Sequence, residues 1–153
     1  QNEIIDILNL FKKKNFYNFS ILRCVSNYPT NIKDVNLGSI DTLRSLVDKK
    51  LKKKIKVGWS DHSRNPSVII KSIFKYNAEI VEFHFDIDGK GKEYAKGHCW
   101  LPKEIENVIK IAKTNLILDG NGKLEFSIHE KKERNWRSDP KDGLRPLLKE
   151  RKK

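Results

Sequence analysis

Helical and strand periodicities alternate along most of this chain, with little room between them, and that alternation restricts the fold more than any single motif. NEIIDILNLFKKKN sets Ile4, Leu8 and Phe11 at helical spacing and ends in lysines that suit a helix C-terminus. FSILRCVS reads as a strand, followed by the turn-like YPTN. From Asn36 to about Leu51 a second helix carries Leu37, Ile40, Leu43 and Val47 on one face. IKVGWSDH then gives a short strand with Ile55, Val57 and Trp59 at one parity. Asn65 and Pro66 suit a helix start, since asparagine caps free amides and proline fits the first turn; the helix continues through Val68, Ile69, Ile73 and Tyr76. The strand EIVEFHFDID, the Gly/Lys loop DGKGKEYAKGHCW and a helix opened by Pro102 complete the series.

Such alternation implies βαβ units with right-handed crossovers, hence an α/β fold with a parallel sheet. Three strands fit an open doubly wound sheet as well as part of a (β/α)8 barrel, which takes about 250 residues when complete. After Thr114 the pattern dissolves. LILDGNGKLEFSIH places turn residues between two apolar runs and predicts a hairpin, and the rest is charged. The chain therefore divides into residues 1–114 and a second part, 115–153, of hairpin-like segment and basic C-terminal tail.

The net charge of +12 admits two accounts. A basic, non-catalytic nucleic-acid-binding α/β domain is one. The lysines fall mainly at helix ends and between elements, however, with no interleaved aromatics to stack on bases, so a solvated surface is the preferred account and nucleic acid is not the expected partner. No apolar run approaches the roughly 20 residues that span a bilayer and no signal peptide pattern opens the chain, so a cytoplasmic protein without a membrane partner is expected. Cys24 and Cys99 read as reduced thiols. The absence of methionine leads us to expect a chain that has lost residues at its front or is a fragment.

VEFHFDID carries the chemistry. Val81, Phe83, Phe85 and Ile87 share one parity, and Glu82, His84, Asp86 and Asp88 the other, where such groups are costly to bury unpaired. The strand GWSDH ends similarly, with Ser60 and His62 at one parity. In a parallel sheet ligands gather at the carboxyl ends of strands, so neighbouring strands would bring two imidazoles and a carboxylate into one small volume. Two histidines with carboxylate help suit manganese, iron, cobalt or zinc better than magnesium. His98 and His129 show no comparable geometry and read as structural or exposed.

LRCVSNYPTNIKDVNL, VGWSDHS and AEIVEFHFDIDG, in that order, resemble the C-terminal half of the barrel domain of the N-acetylneuraminate (sialic acid) synthase family, which includes legionaminic and pseudaminic acid synthases. The resemblance covers roughly Asn2 to Thr114. It implies a partial TIM barrel whose strands are the sixth to eighth of the family's eight. It also implies condensation of phosphoenolpyruvate with an N-acetylated sugar, N-acetylmannosamine or a relative, to a nine-carbon 2-keto acid and phosphate. His62 and His84 match the family's metal histidines, with Mn2+ the implied cofactor. Ser60 matches a serine that contacts phosphate, Tyr28 a tyrosine near the sugar, and Glu82 a carboxylate beside the metal histidine, assigned here a catalytic proton-transfer or hydrogen-bonding role. Ser26 stands where an asparagine or serine contacts phosphate, and Arg23 where a histidine is common. The family's Gly-Pro-Asp motif is missing, leaving Glu93 as the candidate to replace its sugar-binding aspartate. The family's first strands bring a catalytic glutamate and phosphoenolpyruvate-binding lysines that have no counterpart here, so the chain alone is expected to be inactive. A homodimer is compatible with the family.

Overall fold

The computed structural model describes residues 2–152, the side chain of Lys132 excepted. Three strands form where β-branched and aromatic residues concentrate: β1 (Ser20–Cys24), β2 (Lys56–Asp61) and β3 (Val81–Phe83). They pair in parallel in the order β1-β2-β3, with Cys24 opposite Ser60 and Ser60 opposite Glu82. Helices α1 (Asn2–Lys13), α2 (Ser39–Leu51) and α3 (Pro66–Phe74) precede and connect them. Asn65 caps α3 as its sequence predicts, its side chain accepting the Ser67 amide at 2.9 Å ahead of Pro66 at the first turn.

Strand parity separates two faces. Ile21, Val57, Trp59 and Val81 pack into a core with Leu8 of α1, Ile40, Leu43, Val47 and Leu51 of α2, and Val68 of α3. A smaller cluster joins Ile69 and Trp100 to Ile105 and Val108 of α5 (Pro102–Leu118). The opposite parity runs Leu22 and Cys24, Gly58 and Ser60, and Glu82. Gly58 cannot carry a side chain there, because a Cβ would sit 2.1 Å from the Ile80 carbonyl oxygen.

The third strand is shorter than its alternation predicts. Pairing stops at Phe83, and Asp86 then turns the chain, its Oδ1 accepting the amides of Asp88 at 3.1 Å and Gly89 at 2.8 Å. Phe85 and Ile87, expected on the buried parity, are exposed for that reason. The chain returns after a short helix, α4 (Lys92–Ala95), and Trp100 lies parallel beside Phe85: its amide donates to the His84 carbonyl at 2.8 Å, and its own carbonyl accepts from Asp86 at 2.9 Å.

The predicted hairpin is absent. Residues 115–118 continue α5, with Thr114 Oγ1 and Asn115 Nδ2 bonded to carbonyls one turn back, each at 2.9 Å. Ser127 and Glu130 form a capping box that starts another helix, α6 (Ile128–Glu133). Two strands here would have had no sheet to cover them, which leaves a hairpin marginal at best.

Contacts divide the chain into one unit through Ile117 and another from Leu118. The second is organised by Asp139, which accepts the amides of Lys141 at 2.9 Å and Leu148 at 2.7 Å. Leu148 opens the last helix, α7 (Leu148–Arg151), whose Arg151 bonds both oxygens of Asp142. Among the described residues no helix is long and apolar enough to cross a membrane.

Candidate functional site

His62 and His84 are each the first residue beyond a strand, β2 and β3 respectively. Because those strands are parallel neighbours, the rings meet with centroids 4.9 Å apart at 87°. Tyr28, from the loop after β1, lays its ring 4.2 Å from that of His62 and 5.7 Å from that of His84, while remaining partly exposed. The loop is held against β2: Thr30 donates its amide to the His62 carbonyl at 2.9 Å and its hydroxyl to Asn27 O at 2.9 Å and Val25 O at 3.2 Å.

His62 is buried, and its Nδ1 lies 3.1 Å from the Val25 carbonyl oxygen. A carbonyl only accepts, so Nδ1 carries a proton, and in the neutral ring Nε2 is the lone-pair nitrogen. Metal-binding histidines are commonly oriented in this way.

Ser60 and Glu82 pair across the strands, the Ser60 hydroxyl donating to Glu82 Oε2 at 2.6 Å. That proton is committed to the carboxylate, so a phosphate seeking a donor from Ser60 competes with Glu82. Ser26 is exposed, its hydroxyl 3.8 Å from Cys24 Sγ. Arg23 points to the other parity and donates from Nε to Ser39 Oγ at 2.9 Å.

The reading of His98 as remote from this chemistry is corrected. Its ring stands 4.8 Å from that of His84, 5.0 Å from that of Tyr28 and 6.4 Å from that of His62. It is 0% exposed. Glu93 of α4 brings Oε2 within 3.1 Å of His98 Nε2, off the direction of a hydrogen bond, so neither ring nitrogen has a hydrogen-bond partner among the described residues. Burial holds this imidazole below its usual pKa; His84 adds to the depression and Glu93 opposes it. Glu93 itself is held low, first by its bond from Lys96. Cys99 is buried and free, and donor atoms of His84, His98 and Cys99 all lie within 4.8 Å of one another. Burial pushes the Cys99 thiol up, with Asp86 and Glu93 adding to it. The adjacent His and Cys in KGHCW were the sequence signal, but only the return of the chain beside Phe85 carries them to the strand ends. His129 is exposed on α6.

The NeuB family profile matches residues 1–123. The chain is 32% identical over 88 residues to pseudaminic acid synthase of Campylobacter jejuni, covering 58% of this chain and 24% of that protein. It is 28% identical over 112 residues to N-acetylneuraminate-9-phosphate synthase of Drosophila melanogaster, covering 73% of this chain and 28% of that protein. The chain thus spans about a quarter of the length of these curated relatives. The crystal structure of an N-acetylneuraminic acid (sialic acid) synthetase from Leptospira borgpetersenii serovar Hardjo-bovis, in complex with citrate, superposes with a TM-score of 0.64 at 31% identity. That alignment covers 92% of this chain and 47% of the synthetase. A profile matching residues 1–123 takes in all three strands and the histidines at their ends, and the chain belongs to the NeuB family.

Proposed function

We propose that the strand ends of this chain form the cation- and sugar-binding part of a cytoplasmic synthase that joins phosphoenolpyruvate to an N-acetylated hexosamine, N-acetylmannosamine or a relative, giving a nine-carbon 2-keto sugar acid and phosphate. The observation that carries the reading is the meeting of His62 and His84 at the carboxyl ends of adjacent parallel strands. The sequential strand order, with helices packed on one parity, supports a segment of a (β/α)8 barrel, in which strand ends build the site. Relatives named for pseudaminic and neuraminic acid synthesis support the substrate class.

The donors fit a divalent ion. His62 turns Nδ1 to a carbonyl and leaves Nε2 available, and the buried His98 beside His84 has an Nδ1 without a hydrogen-bond partner among the described residues, its Nε2 facing Glu93 at 3.1 Å. His62 and His84 would hold the ion, Mn2+ by resemblance, which when bound supplies a Lewis acid for the sugar aldehyde. Tyr28 covers one side of the imidazoles and offers its phenol to the sugar. Glu82, oriented by the Ser60 hydroxyl, is the candidate proton acceptor of this reading. Ser26 and Ser60 are the candidates to meet a phosphate, Ser60 in competition with Glu82, and Glu93 is the candidate for a sugar hydroxyl, which would compete with its contacts to Lys96 and His98. The positive surface would draw two anionic groups toward this mouth.

Calorimetric titration of the chain with Mn2+ and then N-acetylmannosamine tests the reading. One ion per chain is expected, with sugar heat only when the ion is present, and His62→Ala and His84→Ala each weakening ion uptake beyond about 100-fold, the upper range for outer-shell losses. Sugar binding that survives both substitutions overturns it.

A further inference from the structure

We infer that the cation site extends beyond the histidine pair to His98 and Cys99, making a mixed imidazole–thiolate site built on His84, His98 and Cys99 with His62 facing its fourth position, the sugar oxygen adding as a fifth ligand. The inference rests on the reading of His62 and His84 as a cation site and adds the ligands that set its metal preference.

Two independent observations carry it. The first is convergence: the donor atoms of His84, His98 and Cys99 lie within 4.8 Å of one another, and donors around one zinc ion at about 2.0–2.3 Å stand roughly 3.5 Å apart, so small side-chain rotations close the set. The second is the orphaned ring. His98 is fully buried with neither nitrogen hydrogen-bonded, an arrangement that is costly for a polar group unless something else occupies its lone pair. Glu93, 3.1 Å from Nε2 but off the bond direction, is placed to orient that ring from outside, as outer-shell carboxylates do. The rings of Tyr28 and His62 also stand near it, at 5.0 Å and 6.4 Å from that of His98.

A thiolate changes which metal the site takes. Sulfur donors favour zinc over manganese, whose preference is for oxygen. Ligation exchanges the Cys99 S–H proton for an S–metal bond, and the proton passes to solvent. The site would therefore hold zinc more firmly than an all-nitrogen pair, with its Lewis acidity tempered by the negative sulfur.

Cobalt(II) substitution of the 153-residue chain gives the decisive readout, because thiolate ligation adds sulfur-to-cobalt charge-transfer absorption in the near ultraviolet that imidazole ligation lacks. The wild-type chain is expected to show this band at one ion per chain. Cys99→Ser should abolish the band while keeping the visible cobalt bands, and should narrow the zinc-over-manganese preference in competition. His98→Gln should weaken zinc binding by more than about 100-fold. A wild-type chain that binds cobalt without the charge-transfer band overturns the inference and leaves the histidine pair standing. A band that persists alongside absent sugar binding sinks the synthase reading instead. Binding unchanged in His98→Gln also overturns the inference, and since the wild-type spectrum is informative by itself, a variant that fails to fold does not protect it.

Discussion

The two parities of β2 are one residue apart and serve opposite ends. Val57 and Trp59 pack against the helices, and the fully buried Asp61 continues that row as a scaffold acceptor, its Oδ1 taking the Trp59 indole N–H at 3.2 Å and the Ser63 hydroxyl at 2.7 Å. The alternate row starts with Gly58, passes through Ser60 and ends at His62, where polar groups are aimed at one another and at donors that lack partners. One face is closed by packing, apart from Asp61 Oδ2, buried without a hydrogen-bond partner among the described residues, and the other is left chemically open. The period of two along a strand is what lets six residues supply both.

The largest effect should come from breaking the closed face. Trp59→Ala removes a side chain at the centre of the main core and is expected to cost about 3–5 kcal/mol, measured by urea unfolding followed by circular dichroism. His84→Ala, just beyond the neighbouring strand, should cost far less, because its half-buried ring makes no side-chain hydrogen bond among the described residues, while the proposed cation binding should be lost. Equal destabilisation by the two would erase the division of labour between the faces.

Next in size is Asp61. Asp61→Ala strands the buried indole N–H of Trp59 and should cost about 1–3 kcal/mol, whereas Asp61→Asn keeps an acceptor for both donors and should cost less. The same urea experiment separates them. If alanine and asparagine behave alike, the carboxylate is not the scaffold acceptor described.

These contrasts also mark what the sequence could disclose. The βαβ order, the cap at Asn65 and the pairing of His62 with His84 were legible, because each follows from local periodicity or from a residue's position at a strand end. The turn at Asp86 was not: alternation continues through Phe85 and Ile87 in the sequence, and only the carboxylate's capture of the Asp88 and Gly89 amides shows where the strand stops. His98 was hidden for a related reason. It lies in a loop with no periodicity, and its place beside His84 depends on a non-local contact between Trp100 and Phe85. The chain does turn at residues 119–121, but the apolar residues before the turn extend α5 and those after it form no strand, Ser127 and Glu130 capping α6 instead.

The smallest effect, and the one that sharpens the comparison at the open face, is a dependence of stability on pH. His98 is depressed by burial and by His84, with Glu93 opposing and His62 and Lys96 adding smaller depressions. Its folded state therefore resists protonation that the unfolded chain accepts near the ordinary histidine value of about 6.5. As pH falls below that value the unfolded state binds the proton first, so stability present above about pH 6.5 declines toward the depressed folded value. One proton limits the slope to about 1.4 kcal/mol per pH unit. In the unit beginning at Leu118, Asp139 is held low by the amides of Leu148 and Lys141, so its contribution persists above about pH 4 and is lost only as pH drops through its lowered value. Unfolding of the metal-free chain measured from pH 7 to pH 5 should show a decline that His98→Gln flattens and Asp139→Asn leaves in place. A decline unaffected by His98→Gln would mean that the buried ring is not the group resisting the proton.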